Sequence, residues 1–142
     1  MTTASDAVAC FDGGFNCAQA VFATASEHHG LDEETALRVA CGFGAGMGRQ
    51  QHTCGAVSGA YLLIGLACGN SSADDRPARE RTYALVREFA ARFEERNGST
   101  NCRELLGVDL VGGDRETVTE RVRAVCPNAV RDAAEIVGQL LA

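Results

Sequence analysis

The helical spacing of apolar residues is the feature of this 142-residue sequence that most constrains its fold. Apolar side chains recur at intervals of about three to four residues through most of the chain, and no segment alternates as a strand does. Helix-starting residues precede many of these segments, and glycine often follows them. We therefore predict an all-α fold. The predicted helices span residues 5–11, 16–29, 32–40, 53–68, 76–97, 101–106, 114–125 and 127–141.

One predicted helix is apolar on most of its sides, over residues 56–68, so we expect it to be central and buried. The chain has the length of one domain and contains no linker or internal repeat. We predict a single domain over residues 1–142, a bundle of about six to eight helices around this central helix. The central helix could also serve as a homodimer interface.

Composition and charge exclude several classes of function. A net charge of −6 argues against a nucleic-acid partner. All 13 basic residues are arginine, which excludes chemistry that depends on a lysine. The apolar stretch is too short to span a bilayer, and the N-terminal residues lack the regions of a signal peptide. We therefore expect no membrane association and a cytoplasmic location.

The cysteine content favours metal binding or redox chemistry over a disulfide framework. Seven cysteines among 142 residues are fewer than a small disulfide scaffold carries, and their number is odd. The cytoplasm is also a reducing compartment. The sequence contains no CxxC or CxxCH motif, so it indicates neither a thioredoxin-type site, nor a zinc ribbon, nor covalently attached haem.

Four cysteines lie where the sequence predicts that helices begin. They are Cys17, Cys54, Cys102 and Cys126. Asn16 and Asn101 each precede a cysteine and have glutamine or glutamate three positions later, a pattern similar to a capping box. Thr53 is also a helix-capping residue type, and Pro127 favours the first helical position. Because the N-terminus of a helix carries partial positive charge, we expect these thiols to ionise readily.

Other residues near these cysteines leave alternatives open. The glycine-rich segment 42–48 does not match the dinucleotide fingerprint. It is either a tight connection or a set of backbone N–H groups that face a cofactor near Cys54. His52 could be a base, a proton donor, a ligand or a simple surface residue. Cys10 and Cys68 are predicted to be structural, and the role of Cys41 stays open.

The ordered set of motifs resembles the C-GCAxxG-C-C family, whose members are named for this signature and for an inferred redox activity. The matching segments are residues 16–20, 42–48, 54–59, 98–99 and 102–107, together with Cys126. Thr53 departs from the family pattern, which has glycine before the cysteine. A related domain occurs in split-Soret cytochrome c, where it accompanies haems and an iron–sulfur cluster. The resemblance implies that the four signature cysteines are cluster ligands.

Three functional hypotheses follow from the residues and the resemblance. The leading one is an electron-transfer protein in which Cys17, Cys54, Cys102 and Cys126 bind an iron–sulfur cluster of unspecified type and a redox protein is the partner. The second is a metal-free oxidoreductase acting on disulfides, peroxides or another small redox substrate. Cys54 would be its nucleophile, and Cys17 or Cys102 would resolve the intermediate. The third is a structural zinc protein.

Overall fold

A computed structural model describes residues 4–142, and over this range the chain forms seven helices and no strand. The helices are α1 Ala4–Asp12, α2 Cys17–Ser26, α3 Glu33–Ala40, α4 Gly55–Cys68, α5 Arg76–Asn97, α6 Cys102–Leu106 and α7 Arg115–Leu141. Single 3₁₀ turns, Glu27–His29 and Cys41–Phe43, extend α2 and α3. The predicted all-α bundle is confirmed. Residues 1–3 lie outside the described residues. The predicted domain and the expected absence of a signal peptide are therefore not described at these three positions.

Helix α4 is the central helix, as predicted. It packs against α2, α5 and α7, and its first six residues are all buried. Small residues allow α4 to approach α2 closely. A Cβ atom on Gly59 would lie 2.7 Å from the backbone oxygen of Ala18, closer than side-chain carbons come to backbone. The crossing of α2 and α4 therefore requires glycine at this position.

Helix α5 has the predicted ends. The helical spacing of its apolar residues also predicts one buried stripe, formed by Tyr83, Val86, Phe89, Ala90 and Phe93, and one residue of this stripe is exposed. Phe89 and Phe93 are fully buried, with stacked rings whose centroids are 5.9 Å apart, and Tyr61 of α4 meets Phe89 edge-on. Tyr83 was predicted to share this stripe, yet its side chain is 52% exposed. No residue of α5 before Phe89 is fully buried, although Leu85 and Val86 pack against the core.

The last helix, α7, is continuous, so the predicted break before Pro127 is wrong. Asp114 caps its start by accepting the N–H of Thr117, and the helix continues through Pro127 to Leu141. A proline inside a helix removes one backbone hydrogen bond and crowds the preceding turn. Burial of five side chains on the second half of α7 offsets that cost. Cys126 therefore lies inside a helix, and the prediction that it begins one is also wrong.

The capping interaction predicted at Asn16 is confirmed. Its side-chain oxygen accepts the N–H of Gln19 at 2.9 Å, and the Gln19 side chain accepts the N–H of Asn16 at 3.0 Å. The side-chain amide of Asn16 also donates to the backbone oxygen of Cys41. This capping box therefore fixes the start of α2 and ties it to the turn that follows α3.

The starts of α6 and α4 are connected to each other. Asn101 caps α6 by accepting the N–H of Glu104 at 3.0 Å, as predicted. The reciprocal bond passes through Ser99, whose hydroxyl accepts from the Asn101 N–H and donates to the Glu104 carboxylate. Thr53 is not the cap of α4. It pairs with Asn101 in an isolated β-bridge, and Cys54 occupies the capping position without a side-chain cap bond.

Within residues 4–142, none of the helices combines the length and the apolar character needed to cross a bilayer.

Replacing Asn16 by alanine should lower the free energy of unfolding by about 1–2 kcal/mol, because two helix-end groups lose their partner. Urea denaturation followed by circular dichroism measures the change. Asn128 is an exposed asparagine inside α7 and provides the matched control. Its alanine variant should stay within about 0.5 kcal/mol of the parent protein. Equal losses in the two variants would contradict the role assigned to the cap.

Candidate functional site

All four signature cysteines line one cavity of about 350 Å³. Cys17 is the first residue of α2, Cys54 precedes α4, Cys102 is the first residue of α6, and Cys126 lies in the middle of α7. Cys17, Cys54 and Cys102 are buried, whereas Cys126 is half-buried. The rest of the wall is mostly apolar. It includes Phe11, Leu105, Leu106, Leu110, Val118, Val122, Val125 and Ala129.

Cys17 and Cys54 form a hydrogen-bonded pair in the cavity. The thiol of Cys54 stabilises the thiolate of Cys17, and the backbone N–H groups of Ala45, Ala18 and Cys17 itself also donate to it. Together they lower the pKa of Cys17 to about 6 against the opposing effect of burial. The same hydrogen bond, with burial and the charge on Cys17, raises the pKa of Cys54 far above its usual value. The pair thus holds one thiolate and one thiol near neutral pH.

The other two cavity cysteines are thiols at neutral pH. Burial and the nearby charge of Cys17 raise the pKa of Cys102 to about 11. Burial, followed by the charges of Cys17 and Cys102, raises the pKa of Cys126 to about 12. Ready ionisation was expected for all four cysteines and is found only at Cys17. Burial outweighs the helix terminus at Cys102, and Cys126 has no helix terminus beside it.

The glycine-rich segment forms an unusual left-handed turn beside the cavity. From Ala45 through Gly46, Met47, Gly48 and Arg49, every φ lies between 55° and 70°. Three of these five residues are not glycine, and each costs about 1–2 kcal/mol in this conformation. Strain of this kind persists only where the surrounding structure enforces it, and it is common at functional sites.

The left-handed turn contributes a backbone donor to the site and packs tightly against it. The N–H of Ala45 reaches the Cys17 sulfur, so a donor from this segment does serve a cysteine of the site. A Cβ atom on Gly46 would come within 2.8 Å of the Cβ of Cys102, and one on Gly55 would collide with the Cys17 sulfur. The segment is therefore both a tight connection and a wall of the cavity.

Gln51 has a buried side chain that hydrogen-bonds several groups beside the cavity, and the sequence pattern did not predict this role. Its side chain is 2% exposed, donates to the backbone oxygen of Val108 at 2.8 Å and accepts from the N–H of Leu110 at 2.9 Å. It also hydrogen-bonds the Cys102 sulfur, which partly offsets the rise in the pKa of that thiol. A glutamine in a loop carries no chemical signature, so nothing in the sequence pattern distinguishes it from its exposed neighbour Gln50.

The remaining candidates lie outside the cavity lining. The side chain of His52 is exposed, and its backbone joins the left-handed turn to α6 through bonds to Gly46 and Cys102. Cys41 is also exposed, while Cys10 and Cys68 are half-buried elsewhere in the fold. Arg49 is the one basic residue among the described residues that line the cavity.

The cavity cysteines do not form a compact site for a single metal ion. Among residues 4–142, no three histidine, cysteine, aspartate or glutamate side chains are grouped closely enough to hold one.

A family model described as "Putative redox-active protein (C_GCAxxG_C_C)" matches residues 15–140. The chain belongs to this family. No curated protein and no solved structure matches it significantly.

The ionisation of Cys17 should be visible in its reaction with iodoacetamide in the reduced, metal-free protein. The thiolate reacts, so the alkylation rate of Cys17 should rise with pH about a midpoint near 6. Replacing Cys54 by alanine removes the main hydrogen bond and should move this midpoint upward. Peptide mass spectrometry resolves the rate at each cysteine, and the Cys68→Ala variant is the control. A midpoint that stays the same without Cys54 would contradict the pairing.

The strain at Gln51 predicts an unusual order of stability between two of its variants. Replacing Gln51 by alanine removes the bonds to Val108 and Leu110 and should cost about 2 kcal/mol or more. Glycine removes the same bonds but accepts the φ of 59° at this position without penalty. Gln51→Gly should therefore be about 1 kcal/mol more stable than Gln51→Ala in urea denaturation. At an ordinary helical position the order is the reverse.

Proposed function

We propose that this redox-family protein binds an iron–sulfur cluster through Cys17, Cys54, Cys102 and Cys126 and transfers electrons to or from a partner protein. The observation that carries the proposal is the convergence of four thiols, from four separate elements, on one cavity of about 350 Å³. Four cysteine thiolates are the usual ligand set of a [2Fe–2S] or [4Fe–4S] cluster.

The chemistry of the cavity fits such a cluster. Gly46 and Gly55 let Cys102 and Cys17 pack directly against backbone, at positions where any side chain would collide with them. The N–H groups that serve the Cys17 and Cys54 sulfurs are the kind of donors that stabilise ligand thiolates and raise a cluster's potential. The apolar wall would exclude water. Arg49 at the cavity lining would offset part of the negative charge.

The arrangement of the four thiols around a cavity favours a cluster over a single zinc ion. A zinc site needs its ligands within about 2.3 Å of one metal atom, which requires a compact group of side chains. Among residues 4–142 such a group is not present. The four ligands of an iron–sulfur cluster are divided among two or four iron atoms, so they surround a wider space than the ligands of one metal ion. When bound, the cluster would supply one-electron transfer, and the protein would supply its ligands, its hydrogen bonds and its dry environment.

A second candidate function uses the cysteine pair without metal, and the hydrogen bond between Cys17 and Cys54 favours it. The Cys17 thiolate would attack one sulfur of a small disulfide substrate and release the other as a thiolate, which takes the proton of Cys54. The Cys54 thiolate would then attack the Cys17 sulfur, closing a disulfide and releasing the second half of the substrate as a thiolate, which takes its proton from water. The substrate gains two electrons, and a cellular dithiol would restore the pair. Cys17 replaces Cys54 as nucleophile in this version.

Metal analysis of protein purified without oxygen separates these functions. The cluster predicts iron and acid-labile sulfide together with visible absorption after reconstitution. Cys→Ala variants at positions 17, 54, 102 and 126 should each lose most of that iron. Cys68→Ala is the matched control, because Cys68 is half-buried outside the cavity, and it should keep its iron. Protein that binds no iron but consumes a small disulfide in a manner dependent on Cys17 would instead establish the second function.

A further inference from the structure

The two halves of α7 are held very differently. Five residues between Ala129 and Val137 are buried, so the second half is part of the core. No residue between positions 115 and 126 is buried. The apolar residues of this first half are Val118, Val122 and Val125. They recur at helical spacing and line the cavity that contains the four cysteines. The first half thus covers the cavity without belonging to the core.

Pro127 lies at the boundary between the two halves. Proline has no N–H to donate to the backbone oxygen of Arg123, and its ring crowds the preceding turn. Kinks in helices concentrate at such positions. The helix is therefore weakest at the point where its buried half ends and the half that covers the cavity begins.

Arg121 is the clearest polar contact between the covering half and the rest of the molecule. Its guanidinium donates to the backbone oxygens of Leu106 at 2.8 Å and Leu105 at 3.3 Å, at the C-terminal end of α6. A cation at this helix end is favourable because the last carbonyls lack partners in the helix. Leu105 and Leu106 also line the cavity, so this contact joins the covering half of α7 to another element of the cavity wall.

We propose that residues 115–126 are a lid that pivots at Pro127, is latched by Arg121, and controls access to the cysteine cavity. The lid rests on the proposed function in that it assigns regulated access to the same thiols. Opening would move Val118 and Val122 the most and Cys126, next to the pivot, the least. The cavity could thus open to a cluster donor or a small redox molecule while its four cysteines stay close to their positions.

Two measurements on the reduced, metal-free protein test the lid. By hydrogen–deuterium exchange, amides of residues 115–126 should exchange at least about tenfold faster than those of residues 129–137. Arg121→Gln should accelerate exchange in the lid alone. It should also raise the rate at which the bulky reagent N-ethylmaleimide labels Cys17 by about tenfold, the effect expected for one charge-assisted hydrogen bond.

Pro127→Ala restores the missing backbone donor and should slow both exchange in the lid and labelling of Cys17 by several-fold. Arg123→Gln is the matched control, because Arg123 is an exposed arginine of the lid whose side chain has no hydrogen-bond or ion-pair partner among residues 4–142, and it should change either rate by less than about twofold. Equal exchange of the two halves, or equal effects of Arg121→Gln and Arg123→Gln, would overturn the lid. An unchanged rate in Pro127→Ala would overturn the pivot.

These results do not depend on a bound cluster. If the protein binds no iron, the proposed function fails but the lid can still be present. If α7 is rigid, the lid fails but the result of the iron and sulfide analysis is unchanged. Circular dichroism of each variant verifies that it is folded, and the comparison of the two halves in the parent protein requires no variant.

Discussion

Helices α2 and α4 cross so closely that backbone meets backbone, and the site depends on this contact. Gly59 faces the backbone of Ala18, and Gly55 faces the sulfur of Cys17, with no room for a side chain at either position. The crossing brings the start of α2 against the start of α4, and with them the pair Cys17 and Cys54. A larger residue at either glycine would separate the two sulfurs as well as the two helices.

The left-handed turn completes this arrangement at an energetic cost. Ala45, Met47 and Arg49 occupy a conformation that disfavours side chains, yet the turn delivers the Ala45 N–H to the Cys17 sulfur. Buried hydrogen bonds of Gln51 hold the far end of the turn against the loop that follows α6. Local strain is thus offset by contacts with two separate parts of the chain, which is how strained backbone persists near functional sites.

If the proposed lid moves, one part of the cavity wall is movable and the rest is rigid. Cys17, Cys54 and Cys102 are buried at helix starts that hydrogen bonds join to one another, including those from Cys54 to Thr100 and from Cys102 to His52. Cys126 stands apart from this network, at the edge of a helix segment that buries no side chain. A site that must receive either a cluster or a substrate benefits from this asymmetry, because access can change while most of the cysteines stay in place.

The sequence by itself determined the features that depend on neighbours along the chain. The caps at Asn16 and Asn101, the ends of α5 and the all-α class all follow from interactions within three or four residues, and all were predicted correctly. The cysteine set and the family were also readable from the order of the motifs. Tertiary structure decided what depends on distant parts of the chain. In the folded protein, four thiols line one cavity and the pKa of Cys17 is lowered. Tyr83 is exposed, and α7 continues through Pro127. Tertiary structure also gave Gln51 its role, because burial and the packing of separate elements set these outcomes and no local pattern encodes them.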